Sequence, residues 1–168
     1  MRNLFCIVLL TISMGTVHAQ NITIERLFDN KADIQLSDND AVKVTFDNYF
    51  RAQTDTFNLV NYYIYTDSLQ MDKIGKYNKN RLKFDDGRQY KYKLDRKNKM
   101  VYVYGQDRKT VFKGKMIYDE DLNQLKSIDI VQNDTDIKII EAWVALSTIQ
   151  RMYGNEGKDL RDNLLLGA

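Results

Sequence analysis

The chain has 168 residues, with 25 Lys and Arg against 23 Asp and Glu, one Cys, one His and no Pro. Cys6 and His18 both lie near the start, so everything after residue 19 is without thiol or imidazole. Zinc, copper and haem sites lose their usual ligands there, and thiol and Ser–His nucleophiles are excluded. An enzyme of this composition would have to work with carboxylates, Tyr, Lys, Arg or a hard metal ion, and no cofactor is implied.

Residues 1–19 read as an export signal. Arg2 supplies the positive start, Leu4 to Met14 the apolar run, and Val17-His18-Ala19 a small-residue cleavage site before Gln20. The run is shorter than the about 20 apolar residues that span a bilayer. The expectation is therefore an exported, soluble chain, periplasmic or extracellular, whose residues 20–168 form one mainly β domain. Those 149 residues suffice for a core. Without cysteines they gain nothing from disulfides, and burial must do the work.

Charge is unevenly spread. Residues 20–72 carry 4 basic and 9 acidic side chains, residues 73–115 carry 15 and 4, and residues 116–168 carry 5 and 10. An acidic, basic, acidic division of this kind marks a contact surface for an anionic partner, or else a fold whose charged thirds complement each other.

The elements follow in chain order. Ile22–Phe28 and Ala32–Leu36 suit short strands, and Asp33–Asp40 is polar enough for a turn. Val42, Val44 and Phe46 alternate as a strand does, with β-branching in support. Phe57–Thr66 reads as one strand. Arg81–Phe84 and Arg88–Leu94 flank Asp85-Asp86-Gly87, a three-residue hairpin loop with glycine where a left-handed residue belongs. That register sets Phe84 against Arg88 and Leu82 against Tyr90. The same rule applied to Arg96-Lys97-Asn98 sets Asp95 against Lys99, Tyr92 against Tyr102 and Tyr90 against Tyr104, with Asn98 at positive φ. Thr110–Tyr118 follows a loop around Gln106-Asp107-Arg108, and a turn at Asp119–Gln124 leads to Leu125–Val131.

Asp134–Tyr153 reads as a helix. Asp134, Thr135 and Asp136 offer caps, Gly154 a stop, and Ile139, Ala142, Trp143, Leu146, Ile149 and Tyr153 follow the helical period. Ile140 and Val144 widen that stripe, so the helix should be well buried, covering the sheet or plugging one end of a barrel. Leu160–Leu166 suits a short final turn. The fold expected is mainly β: an antiparallel meander of seven or eight strands, rolled or barrel-like, with a C-terminal helix at 134–153 packed on it.

Several patterns were weighed for chemistry. Asp119, Asp121 and Asn123 are spaced like the opening of a calcium loop, but Gln124 stands where its glycine belongs and Ile130 where its closing glutamate belongs. A polar turn explains them. Asp38-Asn39-Asp40, Asp85-Asp86 and Glu120-Asp121 offer carboxylate pairs, all in turns where Asp serves the backbone. No serine lies in a nucleophile motif. Asn21-Ile22-Thr23 and Asn133-Asp134-Thr135 match the glycosylation acceptor sequence. Trp143 could stack on a sugar, but its apolar helical setting suits a core residue.

The feature with functional content is the basic, tyrosine-bearing group of hairpins. Lys91, Lys93, Lys113 and Lys115 should project from one sheet face, with Arg81 and Lys83 beside them. Tyr90, Tyr92, Tyr102 and Tyr104 are expected on the other face, lining a cavity. These eight residues are the candidate ligand site. The expected function is non-enzymatic binding of an anionic or a small apolar ligand: an acidic glycan, a lipid head group or an acidic protein. Nucleic acid does not suit an exported chain. The alternatives are a protein–protein module, as an inhibitor or envelope-complex subunit, and a carboxylate-dependent hydrolase. A roomy interior would favour the cavity. A filled one with an exposed Val/Tyr patch would favour the module, and two carboxyl groups about 5–10 Å apart in a cleft the hydrolase.

Overall fold

The computed structural model describes residues 20–153 except 29–30, 39, 47–49, 55, 67–71, 123 and 136. The export signal, the Gly154 stop and the turn expected at Leu160–Leu166 lie outside the described residues. Twelve strands follow one another within them. The first six are β1 (Asn21–Phe28), β2 (Lys31–Gln35), β3 (Ala41–Phe46), β4 (Phe50–Gln53), β5 (Phe57–Val60) and β6 (Tyr63–Thr66). The rest are β7 (Lys73–Tyr77), β8 (Arg81–Phe84), β9 (Gln89–Asp95), β10 (Met100–Tyr104), β11 (Thr110–Tyr118) and β12 (Leu125–Asn133). Each pairs antiparallel with its neighbours, and β1 closes on β12 through Asn21 opposite Asp129, Ile22 opposite Ile128 and Thr23 opposite Ser127. The result is a closed up-and-down barrel followed by one helix, α1 (Lys138–Tyr153).

The class is the expected one, with more strands. Part of the difference lies in Phe57–Thr66, which is a hairpin. Asn61 and Tyr62 turn the chain at φ 48° and 71°, and Val60 pairs with Tyr63. Two consecutive positive φ angles make the tight turn that suits the twist of antiparallel strands. Asn61 suits such a turn but Tyr62 does not, and the apolar and aromatic residues around the pair read together as one strand. β7 lay in a stretch with no clear strand pattern. Its Gly75 is there because a Cβ would meet the Lys83 carbonyl oxygen at 2.5 Å.

Strand residues alternate between lumen and exterior. Ile22 and Ile24, Ala32 and Ile34, Val42 and Val44, Leu82 and Phe84, Val101 and Val103, and Phe112 and Met116 are buried. Glu25, Lys31, Lys43, Lys83 and Lys91 face outward and are exposed. This is the inverse of the apolar outer band of membrane barrels, and no helix among the described residues is long and apolar enough to cross a membrane.

A barrel of eight strands is about filled by its own side chains; a wider one needs something in its lumen. Here that filler is α1. Ile139 to Ile149 are buried without a break, polar Glu141, Ser147 and Thr148 included. A helix buried on every side is an interior helix rather than one resting on a sheet. Its 16 residues rise about 24 Å. It enters at one mouth, where Lys138 pairs with Asp38 and Asp40 of the β2–β3 loop. It reaches the other mouth near the β7–β8 and β9–β10 loops. There Arg151 bonds Asn80, and Arg96 donates to the Arg151 carbonyl. In a meander these loop sets lie at opposite ends, so the helix runs through the barrel, not across one end of it.

The polar groups of α1 are matched to the wall. Trp143 Nε1 donates to the Asn78 carbonyl at 2.8 Å, and the Thr148 hydroxyl shares a 2.8 Å hydrogen bond with Tyr92 Oη. Tyr153 Oη accepts from the Leu125 amide at 2.8 Å. Glu141 accepts from the Ser37 amide at 3.1 Å, the Ser37 hydroxyl at 2.8 Å and Asn133 Nδ2 at 2.9 Å. The helix begins at Lys138, later than its acidic caps suggest. Asn133 Oδ1 accepts from both the amide and the hydroxyl of Thr135, and Asp134 accepts from Gln132 Nε2. These side-chain bonds hold the approach in a turn.

Burial pushes the Tyr92 phenol up to about 12, with the Thr148 hydrogen bond and the Arg151 charge pulling it partly back. Burial also drives Tyr77 upward, against a weaker pull from the Tyr62 backbone beside it, and no well-formed hydrogen bond holds its hydroxyl among the described residues. An unfolded phenol titrates near 10. The folded state thus holds these protons more tightly, and the associated stability is complete below pH 10 and lost as pH rises through about 12. Thermal melts followed by circular dichroism should be flat up to about pH 9.5 and fall above it, Tyr92 alone accounting for roughly 2–3 kcal/mol. Tyr92→Phe with Tyr77→Phe should flatten the fall, and an unchanged alkaline limb would refute the assignment.

Candidate anion-binding surface

The candidate residues come from four neighbouring hairpin strands, β8 to β11. The Asp85-Asp86-Gly87 loop has the expected register: Leu82 faces Tyr90, the Phe84 amide donates to Arg88, and Gly87 takes φ 96°. The next loop does not. It has four residues, Arg96 to Lys99, with Asp95 opposite Met100 and Lys99, not Asn98, at positive φ (53°). Asn98 is engaged otherwise: its amide and Nδ2 donate to the two Asp95 carboxylate oxygens at 3.1 and 2.9 Å. One extra loop residue moves every β10 side chain to the opposite face. Val101 and Val103 therefore point into the lumen, opposite Leu94 and Tyr92.

This divides the four tyrosines. Tyr90 and Tyr92 face inward, as expected. Tyr90 meets Phe84 edge-on at 6.2 Å, and Tyr92 meets Trp143 edge-on at 6.0 Å. Tyr102 and Tyr104 are not opposite them. They stand on the outside, half-buried, opposite Lys93 and Lys91. Their rings are near-parallel, 15° apart, with centroids 6.2 Å apart. No cavity is bounded by all four, because α1 occupies the lumen between 139 and 149.

The four lysines do come together. On the outer face, Tyr102 lies between Lys93 of β9 and Lys113 of β11 in one cross-strand row. Lys91 is opposite Tyr104, and Lys115 is opposite Met100. The tyrosine column of β10 is thus flanked by a lysine column on each side, about 10 Å apart across two strand spacings. Arg81 is opposite Lys91, Lys83 opposite Gln89, and Lys76 opposite Lys83, so the basic face extends to β7. The ion pairs among the described residues involve Arg88, Lys109 and Lys138, none of which belongs to this face.

The carboxylates of the basic third sit in hairpin loops or at their edges. Asp86 accepts from Arg88 Nε at 2.7 Å, and hydrogen bonds from the Arg88 side chain and amide hold it below the usual carboxylate range. Asn98 holds Asp95 low in the same way, and the Lys109 amide does so for Asp107. Such groups stay ionised and shape turns; they are not proton donors. Asp119 likewise accepts from the Asp121 and Leu122 amides at 3.0 and 3.1 Å, as a turn residue does. The exposed large apolar residues, Tyr62, Tyr63, Leu122 and Val131, lie on three separate elements, which is ordinary for a protein surface.

Two surface depressions are present. One, of about 600 Å³, lies at the mouth where α1 enters, and mixes Lys73, Arg88 and Lys138 with Asp85, Asp86 and apolar residues. The other, of about 690 Å³, lies along β7, β8 and β9 beneath the β10–β11 loop. Its Lys76 and Arg108 were not among the candidate residues. The sequence carries no clear signal for the first. For the second, the three-residue loop rule puts residue 108 in the left-handed place that Gly87 holds in the β8–β9 hairpin.

No family model matches this chain, and no curated protein or solved structure matches it either.

Proposed function

We propose that this protein is a non-enzymatic binding protein that holds an anionic ligand on the outer wall of β7 to β11. The observation that carries the reading is the cation face: Lys91, Lys93, Lys113 and Lys115 flank Tyr102 and Tyr104, and no ion pair among the described residues engages them, Asp129 of β12 being the one carboxylate directly across from them, opposite Lys115. Ammonium groups left in this way attract sulfates, phosphates and carboxylates, with a reach of about 8 Å in physiological salt. Tyrosine between them adds rigid contact area that is apolar on its faces and polar at its tip. The occupied lumen supports placing the ligand outside the barrel.

Purified protein applied to heparin-Sepharose should elute at about 0.3–0.5 M NaCl, well above physiological ionic strength. The variant with Lys91, Lys93, Lys113 and Lys115 changed to Gln should elute near physiological salt. Early elution of both proteins would refute the reading.

A further inference from the structure

The basic wall has a concave part among the described residues, and like charges are set against each other in it. The depression beneath the β10–β11 loop is lined by Lys76, Arg81, Lys83, Lys91 and Arg108, and no carboxylate lines it among the described residues. Two pairs of these cations stand directly opposite each other across strands: Lys76 with Lys83, and Arg81 with Lys91. Like charges directly opposite are destabilising in a sheet. The fifth cation, Arg108, is held at φ 64°, the left-handed loop position that Gly87 takes in the β8–β9 hairpin and Lys99 in the β9–β10 hairpin. A long side chain there is mildly strained at either place. Gln106 fixes the loop over the concavity by donating from Nε2 to the Gly87 carbonyl at 2.7 Å.

Resting on the proposed anionic-ligand reading, we infer that this concavity is an oxyanion site for a ligand bearing two or more clustered sulfate or phosphate ester groups. A concave basic surface with low-dielectric walls focuses potential more strongly than a flat one. Arg81 and Arg108 add planar guanidinium forks that match two oxygens of a tetrahedral ester. Gln89 contributes an uncharged donor at the rim. Bound esters would relieve both like-charge pairs at once, so the repulsion built into the free protein becomes affinity for the ligand. Lys31 on β2 and Lys43 on β3 are exposed and lie outside the concavity and the lysine columns, and serve as its control.

The test is calorimetric titration with inositol hexakisphosphate and with a heparin-derived tetrasaccharide, at about 150 mM salt. Three variants are compared with the unmodified chain: Lys76→Gln with Lys83→Gln, Arg108→Gly alone, and Lys31→Gln with Lys43→Gln. The first two should each weaken binding by about tenfold or more, and the third by less than about threefold. Neither concavity variant should melt below the unmodified protein, since each removes repulsion or strain. Binding of only one probe supports the site and identifies the ester as phosphate or sulfate. Equal losses in the first and third variants would overturn the concavity and reduce the binding to an effect of net charge. Failure of both probes to bind would overturn the concavity, and the heparin elution of the unmodified chain then decides the wall separately.

Discussion

Trp143→Ala is expected to cost about 3–5 kcal/mol of folding stability in urea denaturation. The indole is fully buried at the middle of α1, against Tyr92, with its Nε1 bonded to the Asn78 carbonyl. Truncation removes the largest side chain in the lumen, and a closed barrel cannot collapse onto the space. It also leaves the Asn78 carbonyl without its indole donor. A domain whose total stability is about 5–15 kcal/mol loses a large fraction of it. Trp143→Phe keeps most of the volume and gives up the hydrogen bond, so it should cost only about 1–2 kcal/mol. Trp143 is the only tryptophan, so its fluorescence reports the site directly. Emission should be blue-shifted and shielded from acrylamide in the folded state. An alanine variant within about 1 kcal/mol of the unmodified protein would mean that α1 does not fill the barrel.

The second large effect belongs to Glu141. Its two carboxyl oxygens receive three donors, two from Ser37 before β3 and one from Asn133 at the end of β12. The residue joins α1 to both sides of the mouth it enters. Glu141→Ala leaves those donors without their acceptor and opens a small space, and should cost about 2–4 kcal/mol. Glu141→Gln keeps one carbonyl acceptor and much of the volume, and should cost less than half as much. Hydrogen exchange should localise the loss of protection to Ser37 and the first turn of α1. A Glu141→Ala variant as stable as the unmodified chain would show that the latch contributes nothing. Neither interior substitution should change retention on heparin while the barrel stays folded, because the wall residues point the other way.

The readable parts of this sequence were those where local chemistry decides the backbone. Asp85-Asp86-Gly87 was legible because only glycine takes φ 96° without strain, and the strands on either side followed in register. Arg96–Lys99 was not, because Asn98 had two uses open to it and the structure takes the one that binds Asp95. Lys99 then accepts the left-handed conformation, and Tyr102 and Tyr104 move from lumen to exterior. The lysines survive the slip because they lie on β9 and β11, whose own inward residues Tyr92, Phe112 and Met116 were read correctly.

The helix shows the same limit from another side. Ile140 and Val144 signalled a broad apolar stripe and a well-buried helix, but nothing in the sequence assigned a place to the polar Glu141, Ser147 and Thr148. They are buried because Ser37, Asn133 and Tyr92 supply partners that only tertiary structure brings near. The strand number escaped because β5 and β6 turn at Asn61-Tyr62, a pair with no glycine.

On the proposed reading, a placed set of cations, not net charge, holds an anionic ligand. Two variants of identical net charge test it on heparin-Sepharose: one with Lys91, Lys93, Lys113 and Lys115 changed to Gln, and one with Lys31, Lys43, Lys97 and Lys126 changed to Gln. The first should lose most of its retention and elute near physiological salt, while the second should elute within about 0.05 M of the unmodified protein. Equal losses from the two variants would contradict the account and reduce the basic wall to a solvated surface.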